Sequence, residues 1–178
     1  MTSESVHARH LVELGFLQDA VRELGMRSTL IERSNDVAYH TLLVSLAADA
    51  KGRERQLALN YYPLEDEEFE DTLFLQYFIG LSTEVKQATL PAIREFLPAM
   101  NNKVVIGHFG ITEGTTQLHF RYVQALPSEE VMDKDKVANV LTLASYTPVL
   151  FDDVLEDLAS GTLTVAEANK RLDTIYAS

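Results

Sequence analysis

Two histidines, His108 and His119, come nearest to a reactive site by residue type and spacing. They flank the pair Glu113-Gly114, which is typical of a two-residue hairpin turn. Such a turn predicts His108 opposite His119, and two neutral imidazoles at cross-strand distance are able to hold a divalent metal ion. A metal site needs a third ligand, and the sequence places none beside this pair. We therefore interpret both histidines as polar residues on one face of a sheet.

A second pair, His7 and His10, lies one helical turn apart near the N-terminus. This pair is also able to share a metal ion. We expect fraying of the helix end and exposure to solvent to prevent it, so the sequence predicts no metal site here.

A cluster of carboxylates occupies one short stretch: Glu65, Asp66, Glu67, Glu68, Glu70 and Asp71. Oxygen-rich loops can bind calcium or magnesium. This stretch lacks the alternating acidic positions and the sharp-turn glycine of an EF-hand loop. We interpret it as a solvated loop that keeps the neighbouring strands from pairing with other chains. We also expect the charge of Glu65 to Asp71 to steer basic partners towards the sheet.

Most classes of enzyme lack support in this sequence. The chain has no cysteine, which excludes disulfides, thiolate nucleophiles and Cys-based zinc sites. Gly107, Gly110 and Gly114 have neither dinucleotide-binding nor P-loop spacing. No Gly-x-Ser-x-Gly or His-Glu-x-x-His motif occurs. A catalytic carboxylate pair in a cleft stays open as an alternative, but nothing selects one pair. We predict a protein that is not an enzyme and has no cofactor.

The charge of the chain limits its partners. Its 178 residues carry a net charge of −12, without a cluster of Lys and Arg. Binding to nucleic acid or to an anionic membrane is therefore disfavoured, whereas a basic partner is favoured. The most apolar stretch, Val140–Phe151, is too short for a membrane span. Charged Glu4 and Arg9 stand where a signal peptide would be apolar, so we expect a cytoplasmic protein.

Apolar periodicity predicts helices at three places. The first covers about Ser5–Leu24 and ends at Gly25. The second begins at Ser82 or Thr83 and has an apolar stripe of Leu90, Ile93, Leu97 and Met100. The third covers Val131–Ala159, where Pro148 is expected to kink or divide it, and Gly161 closes it. Thr164 and Glu167 form a capping-box pair that opens a last helix to about Tyr176.

Strand-like runs separate these helices. Val37–Ala47, Arg55–Tyr62 and Thr72–Leu81 alternate as strands do, and Thr29–Glu32 is a possible extra strand. In the hairpin, the two-residue turn also sets Thr112 opposite Thr115 and Phe109 opposite Leu118. One face of the hairpin then carries Val105, Phe109, Ile111, Leu118, Phe120 and Tyr122. The other face carries Ile106, His108, Gln117, His119 and Arg121.

A second apolar face of the sheet is a candidate binding surface. Thr72–Leu81 is apolar on both sides, which is typical of a strand that a partner covers or that lies centrally. The residues predicted to line up on this face are Tyr39, Leu43, Tyr62, Phe74 and Phe78. Exposed apolar patches mark contact sites, so these residues are the predicted partner-binding set. The alternative is that a helix of the same chain covers them.

The order of elements and two segments resemble a known family. In Leu97–Tyr122, Asn101 or Asn102 ends a helix, Gly107-His108-Phe109 opens the hairpin and Phe120-Arg121-Tyr122 closes it. The run Ala144–Gly161 is similar too, as a proline-containing helix that ends in glycine. These segments resemble the YbjN family of bacterial proteins, within the type III secretion chaperone-like fold.

The resemblance implies an α+β fold in the order helix, three antiparallel strands, helix, two-strand hairpin, long helix. We expect one domain over residues 1–178, with about five strands and the helices mainly on one face. It also implies a non-enzymatic homodimer: YbjN-like proteins are described as sensory or stress regulators, and the secretion chaperones as acidic dimers that hold an extended segment. The predicted partner is another protein or an extended peptide. A small metal-dependent enzyme using His108 and His119, or a small-ligand binder, are the alternatives.

Overall fold

The computed structural model describes residues 4–62, 71–129 and 133–175 of the chain. Within these ranges the elements follow in the order α1 (Glu4–Glu23), β1 (Ser28–Ile31), β2 (Thr41–Leu46), β3 (Arg55–Tyr61), β4 (Thr72–Glu84), α2 (Leu90–Asn101), β5 (His108–Ile111), β6 (Gln117–Pro127), α3 (Lys134–Ser160) and α4 (Val165–Leu172). The predicted α+β class and order of elements are confirmed.

The strands form one antiparallel sheet in the order β1-β2-β3-β4-β6-β5. It has six strands among the described residues, not about five, because the possible extra strand is β1 and pairs with β2 from Ser28↔Val44 to Ile31↔Thr41. β1 is only four residues long, so its alternation was too brief to predict firmly.

One face of the sheet carries the core. Alternate residues of the central strands are buried there, among them Leu57 and Leu59 of β3, and Leu75 and Ile79 of β4. The buried stripes of α1, α2 and α3 belong to the same apolar cluster. The helices therefore pack on this face, as predicted.

The strand β4 is longer than predicted and displaces the start of α2. Alternation continues through the buried residues Leu81 and Thr83, and Glu84 still pairs with Gln117 of β6. The helix begins only at Leu90, so the start predicted at Ser82 or Thr83 is wrong. All four residues of the predicted α2 stripe are buried.

The hairpin register differs from the prediction by two residues. Phe109 lies opposite Phe120, Gly110 opposite His119, and His108 opposite Arg121. The amide of Thr112 bonds to the carbonyl of Gln117, so the connecting loop has four residues instead of two. The predicted pairing of His108 with His119 is therefore wrong. A shift by two leaves the side chains within β5 and β6 on their predicted faces, because side chains alternate with a period of two. Val105 and Ile106 precede β5, and their predicted faces are wrong: Val105 is 77% exposed, whereas Ile106 packs against the core.

The C-terminal helices show which of the predicted helix-breaking and helix-capping residues determine the helix ends. α3 continues through Pro148, so of the two predicted outcomes, a kink or a division, the division is excluded. Gly161 ends α3 with φ +83°, a left-handed conformation that glycine adopts without strain. The Thr164–Glu167 capping box opens α4, as predicted. The predicted helix limits at Val131 and Tyr176 lie outside the described residues.

The end of α2 contacts the edge strand β5. The side-chain amide of Asn101 donates to the carbonyl of Phe109, 2.9 Å from nitrogen to oxygen. The amide of Phe109 donates back to Asn101 Oδ1 at 2.7 Å. One side chain thus satisfies both outward backbone groups of this edge residue.

Candidate functional site: the outer face of the sheet

The face of the sheet opposite the core, called the outer face, carries one continuous row of residues. The pairing of the strands aligns Thr29, Leu43, Ala58, Phe78, Arg121 and His108 across all six of them. From Leu43 to Arg121 the side chains are partly exposed. Leu43, Ala58 and Phe78 make the middle of the row apolar. Arg121 and His108 make the end on β6 and β5 cationic or titratable.

A hydrogen-bonded network surrounds Arg121. Its Nε donates to Gln76 Oε1 at 2.6 Å, and its Nη2 donates to the hydroxyl of Tyr62 at 2.5 Å. Tyr62 in turn donates to Gln76 Oε1 at 2.6 Å, and Gln76 Nε2 donates to Asn60 Oδ1 at 3.0 Å. The guanidinium carbon lies 5.4 Å from the centre of the Tyr62 ring, within range of a cation–π contact. These contacts fix the orientation of the guanidinium plane.

The second cluster on the outer face is aromatic. The ring of His119 stacks on Phe78, with centroids 5.0 Å apart and an angle of 28° between the planes. It also covers Gly110, where an added Cβ would lie 2.8 Å from His119 Nε2. His119 Nδ1 is 3.2 Å from the hydroxyl of Thr112. A side chain at position 110 would therefore have to displace the imidazole from its place on Phe78.

Both histidines of this face favour the neutral form. Burial, followed by the charge of Arg121, lowers the pKa of His108. Burial, followed by His108 and Arg121, lowers the pKa of His119. Arg121 is therefore the permanent positive charge of the row.

The predicted partner-binding set is only partly brought together. Leu43, Phe74 and Phe78 lie on the outer face, and Tyr62 belongs to the Arg121 network. Tyr39 precedes β2 instead of lying within it, and 41% of its side chain is exposed. Sequence reasoning missed Asn60 and Gln76, whose signal was polar residues at outward positions of two adjacent strands. The acidic residues Glu65, Asp66, Glu67, Glu68 and Glu70 lie outside the described residues.

A cluster of three histidines lies between α1 and the start of β2. The ring of His7 is 6.5 Å from that of His10 and 6.1 Å from that of His40. His10 stacks on Tyr61 at 5.3 Å. His7 and His10 are each only 5% exposed, so the exposure predicted for them is wrong. They extend the stripe of Leu14, Leu17 and Val21 by two turns, and this periodicity was the available signal.

Two members of the cluster, His10 and His40, have lowered pKa values, mainly because of burial. Burial, followed by the charges of His7, Arg9 and His40, lowers the pKa of His10 to about 4. His40 Nδ1 accepts a hydrogen bond from the backbone amide of Arg33 at 3.0 Å, so that nitrogen carries no proton. Within the described ranges, no three His, Asp or Glu side chains are arranged to hold a metal ion.

Further candidate sites include a small cavity, two more open clefts of about 650 and 490 Å³ beside β2 and β3, and an ionic cluster. A cavity of about 210 Å³ is lined by Glu13, Tyr61, Gln124 and Val137 among others. It is smaller than the roughly 300–1,000 Å³ typical of small-ligand pockets. On the helix side, Arg53 pairs with Asp49 at 2.5 Å and also with Glu156 of α3.

This ionic cluster holds the β2–β3 turn against α3. Burial raises the pKa of the nearby Asp152 to about 6. Glu156 and Asp49 lie near Asp152 and have lowered pKa values, the opposite direction. Because both of these carboxylates are held in ion pairs with Arg53, we interpret the group as a tie between the β2–β3 turn and α3.

Comparisons with known proteins give a fold resemblance. No protein-family model matches the chain, and no curated protein matches it. Among solved structures, the crystal structure of YbjN from E. coli, described as a candidate transcription regulator, resembles this chain with a TM-score of 0.46 and 12% identity. The match covers 85% of this chain and 94% of that chain. YbjN also names the family that the sequence was found to resemble, and no residue role is transferred from it. Of the helices described, none is both long and apolar enough to cross a bilayer.

Proposed function

We propose that this chain is a single-domain, non-enzymatic protein-binding module whose outer face holds an extended segment of another polypeptide. The observation that carries the proposal is the row from Leu43 to Arg121, which stays partly exposed while the helices pack on the other face. An extended segment presents alternate side chains to such a surface, where apolar pockets and fixed polar groups select them. The lack of cysteine suits a reducing compartment such as the cytoplasm.

Selection from a random peptide library tests the proposal. Displayed twelve-residue segments are selected on the immobilised full chain, and one enriched peptide is then titrated into the ¹⁵N-labelled protein. We expect amide shifts along Ala58, Phe78 and Arg121. We expect Phe78→Glu to abolish binding, whereas Phe16→Glu should not, because Phe16 lies on α1 and is 65% exposed. A library without enrichment above the bare matrix, or shifts confined to the helices, would contradict the proposal.

We also propose that the chain forms a homodimer, the state predicted from the family resemblance together with the two apolar faces of β4. Light scattering over a dilution series measures the mass. A dimer mass at tens of micromolar supports the proposal, and a monomer mass overturns it. The variant Phe74→Glu then decides which surface is used, because burying an unpaired charge in an interface costs several kcal/mol. If the dimer persists in this variant, the interface lies elsewhere and the outer face is free for the partner segment.

A further inference from the structure

We infer that the segment bound on the outer face is acidic, and that Arg121 binds one of its carboxylates. This inference rests on the proposed function, because it names the partner of the same surface. Three observations carry it: the bonding of the guanidinium, its fixed orientation and the charge of the face around it.

The bonding of Arg121 leaves donors available. A guanidinium has five N–H donors. The described residues accept from two of its nitrogens, and both acceptors, Gln76 and Tyr62, are neutral. No carboxylate in residues 4–62, 71–129 or 133–175 forms an ion pair with Arg121. A cation on a protein of net charge −12 is thus left with neutral neighbours in the described chain.

The fixed orientation of the guanidinium favours direct, two-bond binding of a carboxylate, and not only long-range attraction of any negative charge. Tyr62 and Gln76 hold one side of the guanidinium, and the Tyr62 ring lies beside its plane. A planar carboxylate can accept two parallel N–H bonds from such a group. Because the side chain is already ordered, less conformational entropy is lost when the segment binds.

The charge of the outer face is complementary to an acid. The row, the Arg121 network and the aromatic cluster beside them contain neither Asp nor Glu; they include Thr29, Leu43, Ala58, Asn60, Tyr62, Gln76, Phe78, His108, His119 and Arg121. An acidic segment therefore meets no repelling carboxylate there. The sequence instead predicted that the loop from Glu65 to Asp71 steers basic partners, and the two ideas give opposite preferences. Charge complementarity between the outer face and the bound segment acts through direct contacts and therefore determines specificity. The charge of the acidic loop acts mainly on the rate at which a partner associates.

Charge reversal separates these possibilities. The peptide selection is repeated on the wild-type chain, on Arg121→Glu and on the matched control Arg94→Glu, which reverses an exposed arginine of α2. We expect Asp and Glu to be enriched on the wild type and on Arg94→Glu, and Lys and Arg to replace them on Arg121→Glu. An acidic peptide from the wild-type selection should bind Arg121→Glu at least about tenfold more weakly. Its glutamine-substituted copy should bind the wild type with a similar loss.

If Arg121→Glu does not fold, Arg121→Gln, which removes the charge without reversing it, takes its place. The midpoint of urea unfolding shows whether each variant is folded. Peptides that bind the outer face without a preference for acids would overturn this inference and leave the proposed function standing. Enrichment of Lys and Arg on the wild type would overturn it in favour of the acidic loop. The absence of any enriched peptide would overturn both proposals.

Discussion

Two groups of histidines show how differently this fold treats the same side chain. His7 and His10 lie between α1 and the sheet, where each is 5% exposed. His108 and His119 lie on the outer face, one exposed and the other partly covered by its neighbours. The first group packs as part of the core, and the second borders the proposed binding surface. Burial by a helix, and not residue type, decides whether a histidine here is structural or available for contact.

The largest expected difference is in stability. His10→Ala removes a buried ring stacked on Tyr61 and leaves a cavity, so the free energy of unfolding should fall by about 2–3 kcal/mol. His108→Ala should change it by less than about 0.5 kcal/mol. Urea unfolding at pH 7.5 measures both. Equal losses in the two variants would remove the distinction between the groups.

The pH dependence of stability sharpens the comparison. Because the pKa of His10 is about 4 in the folded protein and about 6.5 when unfolded, the unfolded chain binds more protons between these values. Stability should therefore fall as the pH drops from 6.5 towards 4, by about 1–2 kcal/mol after allowance for solvent screening.

The matched variant for this prediction is His10→Phe, which keeps an aromatic ring on Tyr61 and removes the titration. Its unfolding free energy should be flatter over the same pH range. NMR titration of the imidazole Hε1 signals provides the direct reading. A His10 midpoint near 6.5 would show that the cluster is open to protons.

The stack of His119 on Phe78 should contribute less to the free energy of unfolding than His10 does. His119→Ala loses the contact with Phe78 and uncovers Gly110, at a cost of about 1 kcal/mol. His119→Phe should recover most of that loss, since a phenyl ring is also able to stack on Phe78. Thermal unfolding of the three proteins measures the effect. A loss as large as that of His10→Ala would place His119 in the core group.

The smallest expected difference between the two histidine groups is in metal binding. Neither group has three ligands in a suitable arrangement among the described residues, so we expect no stoichiometric zinc or manganese after dialysis. Elemental analysis of the purified protein tests this. Retained zinc that is lost in His108→Ala would instead support the metal-dependent alternative.

The sequence allowed the helices to be predicted better than the strand pairing. The α2 stripe, Gly161 and the Thr164–Glu167 box act locally, within a few residues, and their signals were read correctly. The hairpin register depends on the length of its loop, and registers two residues apart bury the same side chains. The apolar pattern therefore did not distinguish the observed pairing of Phe109 with Phe120 from the predicted one.

The sequence predicted single residues of the candidate site but not how they are arranged together. Leu43, Phe74 and Phe78 follow from alternation along single strands. The Arg121 network does not, because Tyr62, Gln76 and Arg121 meet only once β3, β4 and β6 are aligned. The burial of His7 and His10 was missed because histidine was assumed to be exposed near a helix end, although its position in the stripe indicated otherwise.

The bond pair between Asn101 and Phe109 has a consequence for how molecules of this chain meet in a crowded solution. Growth of a fibril by strand-to-strand addition needs two open edges on every molecule, one to receive and one to extend. At the centre of β5 the edge is already occupied by an amide of the same chain. We therefore expect an encounter through the opposite edge to end with a pair of molecules and not with a continuous fibre.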